Sequence, residues 1–240
     1  MNKFKTIRLE HQATERGDAT RERILGAALR LFRRRGFERT TMREIARAAG
    51  VSLGSTYYYF PSKEALVLAF YGQVQERHES LVRTAALPPG DLVVRVRSAL
   101  LGKLEILRED RALLGALFRY AGERGHPLSV FGEATRVQRE QAVATFSLAL
   151  EGARLSPPLR DLAARALWLV HLGLILYFIH DTSDDAVRTR RLAERTAEVF
   201  CSALRLVSLP GAMRLVAPTV AALRDAGLVS PSATKGGASA

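Results

Sequence analysis

Residues 40–66 read TTMREIARAAGVSLGSTYYYFPSKEAL, a run of helix starts and stops in close succession. Thr41 and Glu44 stand three apart, so each side chain can take a backbone N–H of the other's residue: a capping box that opens a helix. Met42, Ile45, Ala46 and Ala49 follow at i, i+3, i+4 and i+7, the apolar face of that helix. Gly50 is a stop, because it enters the left-handed conformation without steric cost. Two residues later Ser52 caps a short third helix that runs to about Tyr59, and Pro61, with no N–H to continue the ladder, closes it. Ser62 then caps a longer helix over 62–85, with Leu66, Phe70, Val74 and Leu81 facing inward.

Upstream, Thr20 reads as the N-cap of a first helix whose stripe is Ile24, Leu25, Ala28, Leu31 and Phe32. Arg33, Arg34 and Arg35 complement its C-terminal dipole, and Gly36 ends it. Downstream the period stays helical. Pro88-Pro89-Gly90 is a break, and helices are predicted near 91–108, 111–122, 128–152, 158–180, 185–207 and 211–226. No convincing strand pattern occurs. The predicted class is all-α: a three-helix head over 20–66 containing a helix-turn-helix, joined by the 62–85 helix to a larger helical bundle over 86–228. Residues 1–19 form a basic arm, and 229–240 a small, polar, disordered tail.

The chain of 240 residues carries a net charge of +12. Residues 1–65 hold 14 Lys and Arg against 7 Asp and Glu, so basic charge per residue is densest at the head. Such a balance points to a polyanionic partner. The single cysteine, Cys201, can form no intrachain disulfide; it reads as a small buried hydrophobe in a reducing compartment. Residues 1–19 lack the apolar segment of a secretion signal. The longest apolar run, 166–179, is broken by His171 and Gly173 and is short for a membrane span, so a buried core helix and a cytoplasmic protein are expected, with no membrane partner.

Two short helices joined by a tight turn have the dimensions for one to lie in the major groove while the other braces it. Donors for phosphates are carried by Arg39, Thr40, Thr41, Arg43, Arg47, Ser52, Ser55, the three tyrosines at 57–59 and Lys63. The same stretch resembles the signature of the TetR family of bacterial regulators: Ile45-Ala46, Gly50-Val51-Ser52, Gly54, Tyr57, Tyr58-Tyr59-Phe60, Lys63-Glu64 and Leu66 match in order and spacing. Thr56 departs from it, where Leu is common. The resemblance implies that Arg43, Ser52, Leu53, Gly54 and Ser55 approach base edges. It places Thr41, Tyr57, Tyr59 and Lys63 on phosphates, with Tyr58 suited to either. It further implies double-stranded operator DNA as partner, a homodimer through the helices near 158–180 and 185–207, and a small-molecule effector that releases a repressor.

Aromatic and polar-tipped residues that suit an effector site are Phe118, Phe131, Phe146, Trp168, His171 and Tyr177. His171 and His180 lie nine apart and lack a metal-binding spacing, so neither metal nor cofactor is expected. No Gly-rich phosphate loop, nucleophile elbow or Cys–His pair is present, which argues against an enzyme. The alternative is a helical enzyme or small-molecule carrier with a basic surface.

Overall fold

The computed structural model describes residues 3–85 and 91–208, with side chains from residue 16 onward, and the isolated positions 218, 221, 222 and 225. Among these residues the regular structure is helical throughout: α1 (Lys3–Arg35), α2 (Met42–Ala49), α3 (Leu53–Tyr59), α4 (Lys63–Ala85), α5 (Leu92–Ile106), α6 (Arg111–Ala121), α7 (Arg136–Ala149), α8 (Pro157–His180) and α9 (Val187–Val207). Single 3-10 turns occupy Arg108–Asp110 and Asp184–Ala186. The all-α expectation holds. The Pro88-Pro89-Gly90 break, most of the 211–226 helix and the 229–240 tail fall outside the described residues.

Contacts divide the chain into two compact units. The first joins residues up to 73 with 109–138; the second joins 74–108 with residues from 139 onward. In the first, the predicted stripe of α1 is the core: Ile24, Leu25, Ala28, Leu31 and Phe32 are all buried. The start of α1 differs from the sequence expectation. The helix begins at Lys3, so the arm is helical, and Thr20 lies inside the helix instead of capping it. Its hydroxyl donates to the Arg16 carbonyl one turn back, at 2.9 Å, a bond that lets threonine sit within a helix.

Helix α1 ends at Gly36, whose φ of +84° is the left-handed conformation that the turn into Phe37 requires. α6 is tied to that end. Arg33 grips the buried Asp110 with two hydrogen bonds, Nε to Oδ1 at 2.6 Å and an Nη to Oδ2 at 3.0 Å. This fork also holds Arg33 protonated above its ordinary range. Arg119 pairs with Glu38, and Tyr120 meets the Phe37 ring edge-on at 6.0 Å. The predicted 128–152 helix starts later, at Arg136. Pro127 and the left-handed Gly125 turn the chain, His126 stacks on Tyr120 at 4.2 Å, and Thr135 closes the segment by donating to the Ser129 carbonyl at 2.6 Å.

In the second unit, α9 packs against α5 and α8. Its buried residues include Ala193, Ala197, Cys201 and Leu204, a face of mostly small side chains that lets the helices approach closely. Cys201 is fully buried as expected, and burial raises its thiol pKa. α4 and α5 also come close: a Cβ at Gly102 would lie 2.6 Å from a Leu81 methyl. The Leu192, Val199 and Leu206 side chains of α9 are 43%, 69% and 65% exposed. Leu169, Leu176 and Tyr177 of α8 are exposed too. Among the described residues the apolar circumference of α8 is thus only partly covered. At 24 residues α8 is longer than the apolar run, and by length and composition it could cross a membrane.

The turn between α8 and α9 is built around Asp181. Its carboxylate accepts from the backbone and hydroxyl of Ser183, at 2.9 and 2.6 Å, and from those of Thr189, at 2.8 and 2.7 Å. It therefore caps the first turn of α9 from outside the helix. Two residues here, Asp185 and Ala186, have left-handed φ values of 51° and 52° although neither is glycine. The Asp185 carboxylate pairs with Arg108 at 2.8 Å and Arg190 at 2.6 Å, and the Ala186 side chain is buried.

Burial pushes the Asp181 carboxyl upward, but the hydrogen bonds from Ser183 and Thr189 outweigh it and hold the group well below the usual carboxylate range. A depressed native pKa contributes stability that is complete above the unfolded value and is lost as pH falls through the native one. Asp181→Ala is expected to melt several degrees below wild type at pH 7. The gap should narrow as pH drops below about 4, read by thermal melts across a pH series.

Candidate functional site

The turn from α2 to α3 forms as the caps dictate. Thr41 accepts the Glu44 N–H at 3.3 Å, while the Glu44 carboxylate accepts the Thr41 N–H at 2.9 Å and the hydroxyl at 3.0 Å. The Thr41 backbone bond first, then its hydroxyl and Arg35, lower the Glu44 pKa. Met42, Ile45, Ala46 and Ala49 are buried as predicted, whereas Ala48 faces out. Gly50 is left-handed, with φ +65°. Ser52 then accepts the Ser55 N–H at 3.0 Å and opens α3.

Only Thr56 of α3 is buried. Its hydroxyl donates to the Ser52 carbonyl at 3.0 Å, so a polar side chain fills an inward position with its hydrogen bond made inside the same helix. That answers the departure at this position. Every other α3 side chain is at least partly exposed: Tyr58 by 83%, Tyr57 by 49%, with Leu53, Ser55 and Tyr59 intermediate. Ser52 and Gly54 are exposed. The Tyr59 hydroxyl would sit 3.7 Å from a Cβ on Gly17, so this ring leans on α1. Arg43 and Arg47 of α2 are exposed and, among the described residues, form no ion pair. The surface assembled from Thr41, Arg43, Arg47 and the outer face of α3 is thus polar, cationic and held on two capped helices.

Two donors named from the sequence are committed elsewhere. Thr40 is buried and donates to the Gly36 carbonyl at 2.9 Å. The Lys63 ammonium donates to the Phe37 and Glu38 carbonyls at 2.8 and 3.2 Å and lies 4.5 Å from the Phe37 ring centre. With two of its three N–H groups and the ring contact it braces the α1 exit. Thr41 also has its hydroxyl engaged, by Glu44.

The residues suggested for an effector site are distributed over both units. Phe118 and Phe131 belong to the first unit, Phe131 being 57% exposed. Phe146, Trp168, His171 and Tyr177 belong to the second, and Tyr177 is 40% exposed. What sequence reading missed is that His171 meets another histidine. The His78 and His171 rings are 6.3 Å apart with planes within 16°, and the Phe146 ring lies 5.7 and 5.5 Å from them. His78 Nε2 is 2.8 Å from the Ala99 carbonyl; since a carbonyl only accepts, Nε2 carries the proton and Nδ1 is bare. His78 Nδ1 and both ring nitrogens of His171 are buried without a partner. Such groups cost about 1–3 kcal/mol each when left unbonded. Lys103, buried beside them, donates to Gln75 at 2.7 Å. Burial lowers its pKa to about 7. Burial first, and then the Lys103 charge, push His78 down to about 3 and His171 well below its ordinary value.

Two family profiles match the chain. "Bacterial regulatory proteins, tetR family" covers residues 24–70, and "Tetracyclin repressor-like, C-terminal domain" covers 95–217, more than half of the chain. The regulator TtgR of Pseudomonas putida is 41% identical over 71 residues, 30% of this chain and 34% of that protein. The regulator AcrR of Shigella flexneri is 31% identical over 140 residues, 55% of this chain and 60% of that protein. The match thus spans between a third and three fifths of these two relatives. Among solved structures, the repressor FadR of Thermus thermophilus in complex with lauroyl-CoA is 26% identical, with a TM-score of 0.56 over 74% of this chain and 92% of that one.

If Lys63 braces the head, Lys63→Met should cost about 1–2 kcal/mol of stability through the lost carbonyl bonds and ring contact. Urea denaturation measures this; an unchanged midpoint would return Lys63 to the set of free cations.

Proposed function

Because the chain belongs to the TetR family of bacterial regulatory proteins, we propose that it is a homodimeric, sequence-specific DNA-binding transcriptional regulator. In this reading it is a repressor whose operator affinity falls when a small molecule binds its second unit. The observation that carries the reading is α3: a capped helix whose one buried side chain is Thr56 and whose outer face is exposed beside the exposed Arg43 and Arg47. The major groove, about 12 Å wide, admits one such helix. Ser52, Leu53, Gly54 and Ser55 at its N-terminal end, with Arg43, then meet base edges, while Tyr57 and Tyr58 take phosphates. Gly54 adds no side chain between backbone and duplex. Residues 1–65 carry 14 Lys and Arg against 7 Asp and Glu, a concentration that favours the DNA reading over a helical enzyme or carrier with a basic surface. Operator binding requires the protein to work in the cytoplasm.

Dimerisation is supported by α9. Leu192, Thr196, Val199, Ala203 and Leu206 repeat at alternating spacings of four and three, the spacing of a helix–helix seam. Leu192, Val199 and Leu206 are exposed in the single chain, as are Leu169, Leu176 and Tyr177 of α8. A second copy, not lipid, covers these faces, giving a four-helix contact. Two heads then address half-sites about one helical turn, or 34 Å, apart or at a multiple of it. The small-molecule arm is supported by the lauroyl-CoA complex of the T. thermophilus repressor.

Gel shifts on the DNA upstream of the coding sequence test the DNA arm. Arg43→Ala should lose about 1–3 kcal/mol of operator affinity. Tyr58→Ala should weaken binding while leaving stability within about 0.5 kcal/mol of wild type. Equal affinity for operator and scrambled duplex at every salt concentration would sink the claim of sequence specificity. For the dimer, sedimentation should find two copies in the wild type and one in Val199→Glu/Leu206→Glu; a monomeric wild type at micromolar concentration would remove this interface.

A further inference from the structure

Three side chains of the second unit converge inside an apolar bundle with polar atoms to spare. His78 comes from α4, Lys103 from α5 and His171 from α8. His78 and His171 are 0% and 1% exposed and Lys103 is 6% exposed. Three ring nitrogens have no partner: the bare Nδ1 of His78 and both nitrogens of His171. The Lys103 nitrogen makes one hydrogen bond, to the neutral amide of Gln75, and keeps other protons free. Among the described residues no carboxylate pairs with any of the three. Phe146, fully buried, lies against both imidazoles, and Trp168 stands one helical turn before His171 on the same face of α8.

This chemistry selects among ligands. An organic cation would meet Lys103 and two rings that already repel charge. A neutral alcohol would satisfy one nitrogen and leave the ammonium uncompensated. A carboxylic acid answers both deficits, since one oxygen can accept from Lys103 and the other from the N–H of His171. We propose that His171 and Lys103 form the head-group subsite for a small apolar carboxylic acid, whose body lies along Phe146 and Trp168. Entering as the anion, the ligand meets Lys103 as an ammonium. Entering as the neutral acid, it passes its proton to the Lys103 amine. The same ion pair results. Burial holds Lys103 at a pKa of about 7, so the amine and the ammonium are both at hand near neutrality. The effector role of this acid rests on the regulator reading above; its binding does not.

Trp168 is the one tryptophan of the chain, so its fluorescence reports on the site without a label. The full-length protein is titrated with benzoate, octanoate and 4-phenylbutyrate, each against its methyl ester. At least one acid should bind about tenfold or more tighter than its ester. That preference should fall to within about threefold in Lys103→Met and in His171→Leu, both checked for helicity by circular dichroism. Lys103→Met removes a buried charge and keeps the apolar stem, so it is the variant expected to fold. Esters that bind as tightly as the acids overturn the proposal, as does an acid preference that survives the substitutions. So does the absence of any acid binding in the millimolar range: the nitrogens then hold water alone. Gel shifts on the same preparations separate the two readings. An intact operator shift without acid binding removes the subsite and spares the regulator; acid binding without an operator shift does the reverse.

Discussion

A helix of seven residues does not hold itself together in water, and α3 therefore exists only through its attachments. Ser52 caps one end, Phe60 closes the other by donating to the Thr56 carbonyl, and Thr56 is sunk into the unit with its hydroxyl satisfied. Each attachment depends on something further back. Ser52 is placed by the left-handed Gly50, Gly50 by the boxed and half-buried α2, and α2 by the apolar stripe of α1. The bracing of Phe37 by Lys63 and the fork between Arg33 and Asp110 then fix the exit of α1. The exposed tyrosines at 57 and 58 are presented by a scaffold that costs little further ordering when a partner arrives.

The two units manage polar groups in opposite ways. In the first, Arg43 and Arg47 stand exposed on α2, with no ion pair among the described residues, and water stabilises them. In the second, imidazoles and an amine are withdrawn from water into an apolar bundle, where each is pressed toward its neutral form. The solvated face suits a large polyanion, and the dry one suits a single small molecule that brings its own complement.

The head was legible in the sequence because its signals are local. A capping box, a glycine stop, a serine cap and a proline each act within four residues, and all four act where the pattern put them. Reading failed where one residue type serves two ends. Thr20 has a capping side chain but bonds back within α1. Lys63 has a phosphate-seeking charge, and its bracing bonds to carbonyls 25 and 26 residues upstream were not legible. On the inner face of α9 only Cys201 was legible, because Ala193 and Ala197 are too small to dominate a periodicity. The histidine pair was out of reach altogether. His78 sits among Glu76, Arg77, Glu79 and Ser80, in a stretch that reads as solvated surface, and only packing across 93 residues of chain brings it to His171.

The corner between α8 and α9 has a mechanical consequence. Asp185 and Ala186 hold a backbone conformation that favours glycine, yet neither is glycine: the carboxylate ties two arginines and the methyl is buried. Strain of this kind, about 1–3 kcal/mol per residue, persists only where the surroundings over-determine it. With Asp181 clamping four donors at the same place, the joint has no slack left to bend. The exit of α8 and the entry of α9 are thereby fastened at one corner, so the angle between these two helices is set by side-chain bonds as well as by packing.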